Sequence, residues 1–371
     1  MRRVRKPRNA FAVRRLPSLD IVRGAVMVLM AIDHVRVYAG VPAGGPEPAV
    51  FFTRWITHFC APVFVFLAGT SAFLYGRKIQ SRAALAKFLV TRGLWLVLLE
   101  LTVLRFGWTF NFDYANFTFA GVIWVIGWSM VILAGLVFLP TGVVGAIGVL
   151  VIFAHNALAP VLRQSTILYG GWELPLGGIK LMVLYTIIPW FAVMAAGYAF
   201  GAIVHRRRLV LAMGIVAVAL FVILRASGVY GDPRPWESGA LQFLNTAKYP
   251  ASLLFLLMTL GPMFIALALL HNVRGGGWLD VLGRVPFFYY VLHIPLIHIV
   301  ALLISLVRTP QHTGWLFANH PMLPPDVPPG YQWPLWLLYL VTVLVVVVLY
   351  FPCRWYARVK TERPRPWMKY L

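Results

Sequence analysis

The sequence predicts an all-α polytopic membrane bundle of about ten transmembrane helices, with both termini cytoplasmic. Three observations lead there. Of the 371 residues 60% are hydrophobic and only 12% charged, about half the charge of an ordinary soluble domain. The apolar residues are gathered into blocks of roughly twenty, the length that crosses about 30 Å of hydrocarbon. The cations alternate from one connection to the next, so that nearly all fall on one side of a ten-span arrangement. A transmembrane barrel would instead show weaker segments of alternating polarity.

The spans read as residues 21–41, 55–76, 88–107, 117–139, 142–162, 181–204, 209–226, 250–271, 285–306 and 334–353. The fourth and fifth are parted only by the tight turn Leu139-Pro140-Thr141-Gly142. Around them the chain divides into a basic cytoplasmic arm (1–17), one transmembrane domain (18–354) and a basic cytoplasmic tail (355–371). The arm is basic and precedes an apolar run, as a signal peptide is. That run is longer than a signal sequence needs, and cleavage would discard the charged residues inside it.

Lys and Arg concentrate in the arm, the second connection (Arg77, Lys78, Arg82, Lys87, Arg92), the sixth (Arg206, Arg207, Arg208), the eighth (Arg274, Arg284) and the tail. The other connections hold most of the acids, including Glu47, Asp113, Glu173, Asp232 and Asp326, and are longer and richer in Pro, Gly and aromatics. The positive-inside rule therefore places both ends in the cytoplasm. It also accounts for most of the formal charge of +22, so no nucleic-acid partner is implied. Cys60 and Cys353 fall at opposite membrane depths and cannot pair.

The first helix carries ionisable residues in an otherwise apolar run, "RGAVMVLMAIDHVRVYAG" from Arg23 to Gly40. Such groups avoid lipid and face a bundle interior or a water-filled cavity. Arg23 and His34 are eleven residues apart, three turns plus about 20°, so they share one face about 16 Å apart along the axis. Asp20 lies one turn before Arg23 and Asp33 one turn before Arg36, in reach of ion pairing. His34 suits proton transfer near neutral pH; the plainer reading is a buried histidine satisfied by a carbonyl or by Asp33. His58, near the outer end of the second helix, and His293, on the ninth, are further candidates, for function or for packing alike. His293 and His298 are five apart, a poor spacing for a shared zinc, and no carboxylate-rich constellation calls for a metal.

Several blocks are specific rather than merely hydrophobic: "LDIVRGAVMVLMAIDHVR", "APVFVFLAGTSAFL", "VIWVIGWSMVIL", "IPWFAVMAAGYAFG", "KYPASLLFLLMTLGPM", "LGRVPFFYYVLHIPLIH" and "LYFPCRWYARVK". In content and order they resemble the bacterial proteins related to the catalytic domain of heparan-α-glucosaminide N-acetyltransferase, from about residue 16 to the C-terminus. The Arg-x10-His spacing of Arg23 and His34 is similar to that of the type-three acyltransferases. The resemblance implies an acyltransferase that takes an acyl group, acetyl in the first place, from cytosolic acetyl-CoA or another acyl-CoA. The acceptor would be a glycan or small polar molecule across the bilayer, in the bacterial inner membrane and the service of the cell envelope. Either O- or N-acylation and an oligomeric assembly are compatible with it. His34, with Asp33, His58 and His293 around it, would carry the chemistry. Arg23 and Arg284 would hold the CoA. The chain departs from the family's lysosomal member in lacking a His-x-Ser-Trp segment between Gly40 and Arg54. From another class, a multi-span exporter of a small polar solute would use the same buried charges without CoA.

The topology is testable. A cysteine introduced within residues 310–330 is predicted to react with a membrane-impermeant maleimide on intact cells. Reaction only after permeabilisation would overturn the orientation.

Overall fold

The computed structural model describes residues 16–370, so the basic arm assigned to 1–17 lies almost wholly outside the described residues. The described chain is mostly helical. Ten helices account for most of it: α1 (Pro17–Tyr38), α2 (Pro48–Ile79, with a 3-10 turn at Ile56–Phe59), α3 (Arg82–Leu99), α4 (Val122–Leu136), α5 (Thr141–Ala154), α6 (Ile187–Phe200), α7 (Arg207–Ser227), α8 (Leu253–Leu269), α9 (Pro286–Arg308) and α10 (Leu335–Glu362). Among the described residues five helical stretches are long and apolar enough to cross a membrane by length and composition: α2, α7, α9, α10 and α8 with its 3-10 extension to Asn272. Helix α1 carries Asp20, Arg23, Asp33 and Arg36, and α4, α5 and α6 are shorter apolar helices.

A small sheet departs from the all-α expectation. Strands β1 (Thr118–Ala120), β2 (Trp172–Leu176) and β3 (Ile179–Val183) lie in the order β1-β3-β2. β1 runs parallel to β3, with Thr118 opposite Leu181; β2 runs antiparallel to it, with Trp172 opposite Val183. The β2–β3 turn is Gly177-Gly178, both at positive φ, the conformation a two-residue hairpin requires. The sheet takes the first residues of the stretches read as the fourth and sixth spans, so α4 starts at Val122 and α6 at Ile187. Strands β1 and β3 are mainly apolar and adjoin apolar helices, so periodicity alone does not separate them.

The helices have a common basic end and a common loop end. The α2–α3 turn at the basic end is brief: Gln80, at φ 53°, closes α2, and the Ser81 hydroxyl accepts from the Ala84 amide at 3.2 Å to begin α3. The start of α1 meets a short helix at the same end, Trp278–Arg284, where Gly24 and Gly283 let the two backbones touch. At the loop end, the segment before α10 closes over the end of α1: the Tyr331 hydroxyl donates to the Tyr38 carbonyl at 2.8 Å, and the Trp333 amide to that of Ala39 at 2.9 Å.

Glycines set the closest helix contacts, as in other membrane bundles. A Cβ on Gly69 would overlap the Met194 carbonyl, and one on Gly197 the Phe66 carbonyl, so α2 and α6 pack backbone to backbone. Gly93 and Gly127 do the same for α3 and α4. The substitution Gly197→Val is predicted to destabilise the fold by about 1–3 kcal/mol, the usual cost of overpacking. The check is a lowered melting temperature in detergent; an unchanged one would mean that α2 and α6 can separate freely.

Candidate active site

Every ionisable side chain on α1 is met from another part of the protein or from its own next turn. Near the basic end, Arg23 donates to the Leu67 carbonyl at 3.0 Å and to the Ser71 hydroxyl, both on α2, and lies 3.4 Å from Asp20. Near the loop end, Asp33 accepts from Arg36 at 3.0 Å and from Arg54 of α2 at 2.7 Å. Arg54 also donates to the Thr57 hydroxyl, and Arg36 to the Val41 carbonyl.

His34 meets His293. Its Nδ1 lies 2.6 Å from His293 Nε2, and the rings stack with centroids 4.8 Å apart. On its other nitrogen, His293 faces the Tyr290 carbonyl, with Nδ1 2.6 Å from that oxygen. A carbonyl can only accept, so His293 Nδ1 carries the proton and its Nε2 is the acceptor. His34 Nδ1 must then be the donor, which leaves the lone pair on His34 Nε2. His293 is fully buried, whereas His34 keeps part of its surface accessible. The edge of the Trp108 ring, 4.6 Å away between centroids, fixes the plane of His34, and Tyr290 stands edge-on at 6.2 Å.

A cavity of about 380 Å³ runs from the basic end as far as Tyr290; neither His34 nor His293 lines it. Its walls come from α1, α2, α3, α4, α9 and α10. Arg23, Arg92 and Lys360 supply cations toward the basic end; Phe64, Leu96, Val122 and Ile123 make an apolar deep end. Tyr290 lies on its wall and stands edge-on to both His34 and His293, so the Tyr290 ring separates the cavity from the two histidines.

Glu100 shapes that deep end. It is fully buried, in a π turn (Glu100–Leu104) that extends α3. One carboxylate oxygen accepts from the amides of Ile123 at 2.6 Å and Trp124 at 3.0 Å. A carboxylate there satisfies the unpaired amides and positive dipole end of α4, and so fixes the wall that Val122 and Ile123 provide.

A second cavity, of about 510 Å³, opens at the loop end and includes Arg54 and His58 in its lining. Lys248 and Tyr249 stand near it: the Lys248 ammonium is within electrostatic reach of Asp33, His34 and His58. Tyr249 packs edge-on against Tyr185 yet keeps 39% of its surface accessible. Asp232 holds this segment in place, accepting from the Ser252 hydroxyl at 2.6 Å and the Ala247 amide at 2.8 Å.

The predicted residues thus divide. His34 and His293 come together; Asp33, next to His34 in sequence, pairs instead with Arg36 and Arg54, and Arg23 lies on the wall of the cavity that ends at Tyr290. His58 sits in the loop-end cavity, against Phe255. Arg284 pairs with Asp280 at 2.6 Å and is not among the residues lining either cavity. Sequence reasoning does not select Arg54, Trp108, Tyr290, Glu100, Arg92 or Lys360. In the sequence Arg92 counts only toward the positive-inside bias; Glu100, an acid inside an apolar run, is a signal of the same kind as Asp33. Among the described residues no cluster of three or more His, Cys, Asp or Glu could hold a metal ion.

These features define an integral membrane protein with a histidine pair inside its helix bundle. The family profile described as heparan-alpha-glucosaminide N-acetyltransferase, catalytic, matches residues 15–231, more than half of the chain, and the protein belongs to that family. The match includes His34, Arg23 and Glu100; His293 and Tyr290 lie beyond it. No curated protein matches the chain.

Asp33 neutralises two guanidinium groups that otherwise face each other. Removing one member of a fully buried pair costs roughly 3–5 kcal/mol, and the 17% exposure of the Asp33 side chain reduces this. Asp33→Asn is predicted to lower stability by about 1–3 kcal/mol, read as a melting shift in detergent. An unchanged melt would mean that Arg36 and Arg54 need no counter-charge.

Proposed function

We propose that the protein transfers an acyl group, in the first place acetyl, from cytosolic acyl-CoA to an amine or hydroxyl of a sugar or similar polar acceptor on the other side of the membrane. In this reading the ten helices are ten spans, both termini are cytoplasmic, and the membrane is the bacterial inner membrane. The basic end is then the cytoplasmic face and the loop end the outer one. The observation that carries the reading is the cation-rimmed cavity that ends at Tyr290, the ring that stands edge-on to the His34–His293 pair.

The donor's phosphates meet Arg23, Arg92 and Lys360, where charge-assisted hydrogen bonds are strongest, and the pantetheine arm follows the apolar wall toward Tyr290. From Arg23 to His34 is about 16 Å along α1, a distance comparable with an extended pantetheine arm. The acceptor arrives from the loop-end side. His34 Nε2 takes the proton from the attacking nitrogen or oxygen as it bonds to the thioester carbonyl carbon. The new charge on the His34 ring is stabilised by His293 Nε2, itself held by the Tyr290 carbonyl. Collapse of the tetrahedral adduct breaks the carbon–sulfur bond, and the proton on His34 passes to the departing thiolate. Atoms balance for an ester or amide product and free CoA.

His34→Ala is predicted to slow turnover by about 10²–10⁴-fold, the range for loss of a general base, while CoA binding in detergent persists. Arg23→Ala should weaken CoA binding first, because a guanidinium stays charged and cannot accept the proton. Wild-type turnover in His34→Ala would remove His34 from the chemistry. Failure of the purified protein to bind acetyl-CoA at millimolar concentration would favour the solute exporter instead.

A further inference from the structure

The chain after α10 folds back onto the bundle at its basic end. Pro364 bars helical geometry from the residue before it, and α10 closes with Arg363 at φ −133°. A 3-10 turn, Pro366–Lys369, follows. The Trp367 ring stacks on Tyr356 of α10, with centroids 6.5 Å apart and planes 27° apart. Met368 is buried as part of the main core. The Tyr370 ring packs against Phe88 of α3, 6.2 Å between centroids, and its hydroxyl lies 3.1 Å from that of Thr91. Thr91 Oγ1 also faces the carbonyls of Lys87 at 2.9 Å and Phe88 at 3.1 Å. Carbonyls only accept, so the single Thr91 proton is engaged and Tyr370 donates to Thr91.

Both grips fall one helical turn before a cation of the basic-end cavity. Tyr356 precedes Lys360 and Phe88 precedes Arg92 at i, i+4 spacing, so each gripped ring shares a helix face with its cation. The Lys360 ammonium stands 5.9 Å over the Tyr356 ring. Phe88, Arg92 and Lys360 all line the cavity. The two rings are braced from behind: Tyr356 stacks on Phe288 of α9 at 4.4 Å, and Phe88 packs on Tyr75 of α2 at 4.7 Å. Trp367, Met368 and Tyr370 lie outside the lining. They form a strap that joins α10 to α3 and acts on the cavity through the residues it holds. Like charges on two helices repel, and a tie between those helices keeps Arg92 and Lys360 at a set separation.

We infer that Trp367, Met368 and Tyr370 are positioning residues for the donor, holding Arg92 and Lys360 where both meet the phosphates of one nucleotide. A guanidinium and an ammonium carried by separate helices bind the same polyanion strongly only when their spacing is set before it arrives. Otherwise binding must order two long side chains and the helices that bear them. The inference rests on the acyl transfer proposed above and adds the element that sets its affinity for the nucleotide end of the donor.

The test is calorimetric titration of the purified full-length protein in detergent with CoA and with pantetheine, which keeps the arm and lacks the nucleotide and its phosphates. Tyr370→Ala and Met368→Ala are each expected to weaken CoA binding by about tenfold and to leave pantetheine binding unchanged. Met368→Leu, a swap that conserves volume, should keep the CoA affinity of the unmodified protein. In turnover the loss is expected in KM for acetyl-CoA rather than in kcat. In an Arg92→Ala background, Tyr370→Ala should weaken CoA by much less than tenfold, because the two changes remove one shared contact. CoA affinity unchanged in both alanine variants would overturn the inference. Equal losses for CoA and pantetheine would overturn it too, since the strap would then support the fold alone. If the unmodified protein binds no CoA, the acyl transfer itself is refuted, and the donor role of the strap with it.

Discussion

Hydrocarbon cannot solvate an ion, and α1 carries four ionisable residues into a bundle built for it, besides His34. Each must find its counterpart inside the protein, and the counterparts determine how α1 is surrounded. Arg23 draws in the α2 carbonyl of Leu67 and the Ser71 hydroxyl; Asp33 draws in Arg54 from the start of the same helix. His34 draws in α9 through His293. One helix is thereby tied near both of its ends, to α2 through Arg23 and to α2 and α9 through Asp33 and His34. A bundle held by dispersion alone would leave the relative rotation of α1 and α9 to packing. Here a 2.6 Å contact between two rings fixes it.

The same bonds explain why the two cavities differ. Toward the basic end the glycines that bring α2 to α6 and α3 to α4 sit beside a space walled mainly by apolar side chains, with cations at one end. Glu100 finishes that space by capping α4 from α3. Toward the loop end the wall is polar, because its elements are loops and helix ends with amides to satisfy. Asp232 alone accepts from Ser252, Ala247 and Arg234, and it lies 3.9 Å from Arg225. In the acyl transfer we propose, the thioester donor takes the first cavity and the polar acceptor the second.

Much of this was legible in the sequence wherever one segment held the information. The Arg23–His34 stripe follows from helical spacing, and so do the Asp20–Arg23 and Asp33–Arg36 pairs, all of which the structure contains. The helices occur near their predicted places because apolar length is a strong local signal. Contacts across the fold were not legible. His293 is 259 residues from His34, and nothing in either segment states that they meet; the short spacing of His293 and His298 points to a different pairing. Lys248 and Tyr249 belong to a distinctive block, yet the sequence gives them no neighbour; the Asp232 network fixes the segment that brings Lys248 within electrostatic reach of Asp33. The sheet was hidden for another reason: its apolar strands run into apolar helices, and only Gly177-Gly178 marks the hairpin.

The central claim is that His34 and His293 act as one unit, the first moving the proton and the second holding it in the right tautomer. A double-mutant cycle on turnover addresses it directly, with His34→Gln, His293→Gln and the double variant assayed at saturating acetyl-CoA. Residues that act as a unit give strongly non-additive losses. The account predicts that the double variant is about as slow as His34→Gln alone. Losses that multiply would contradict it, and would make His293 a residue with a separate role.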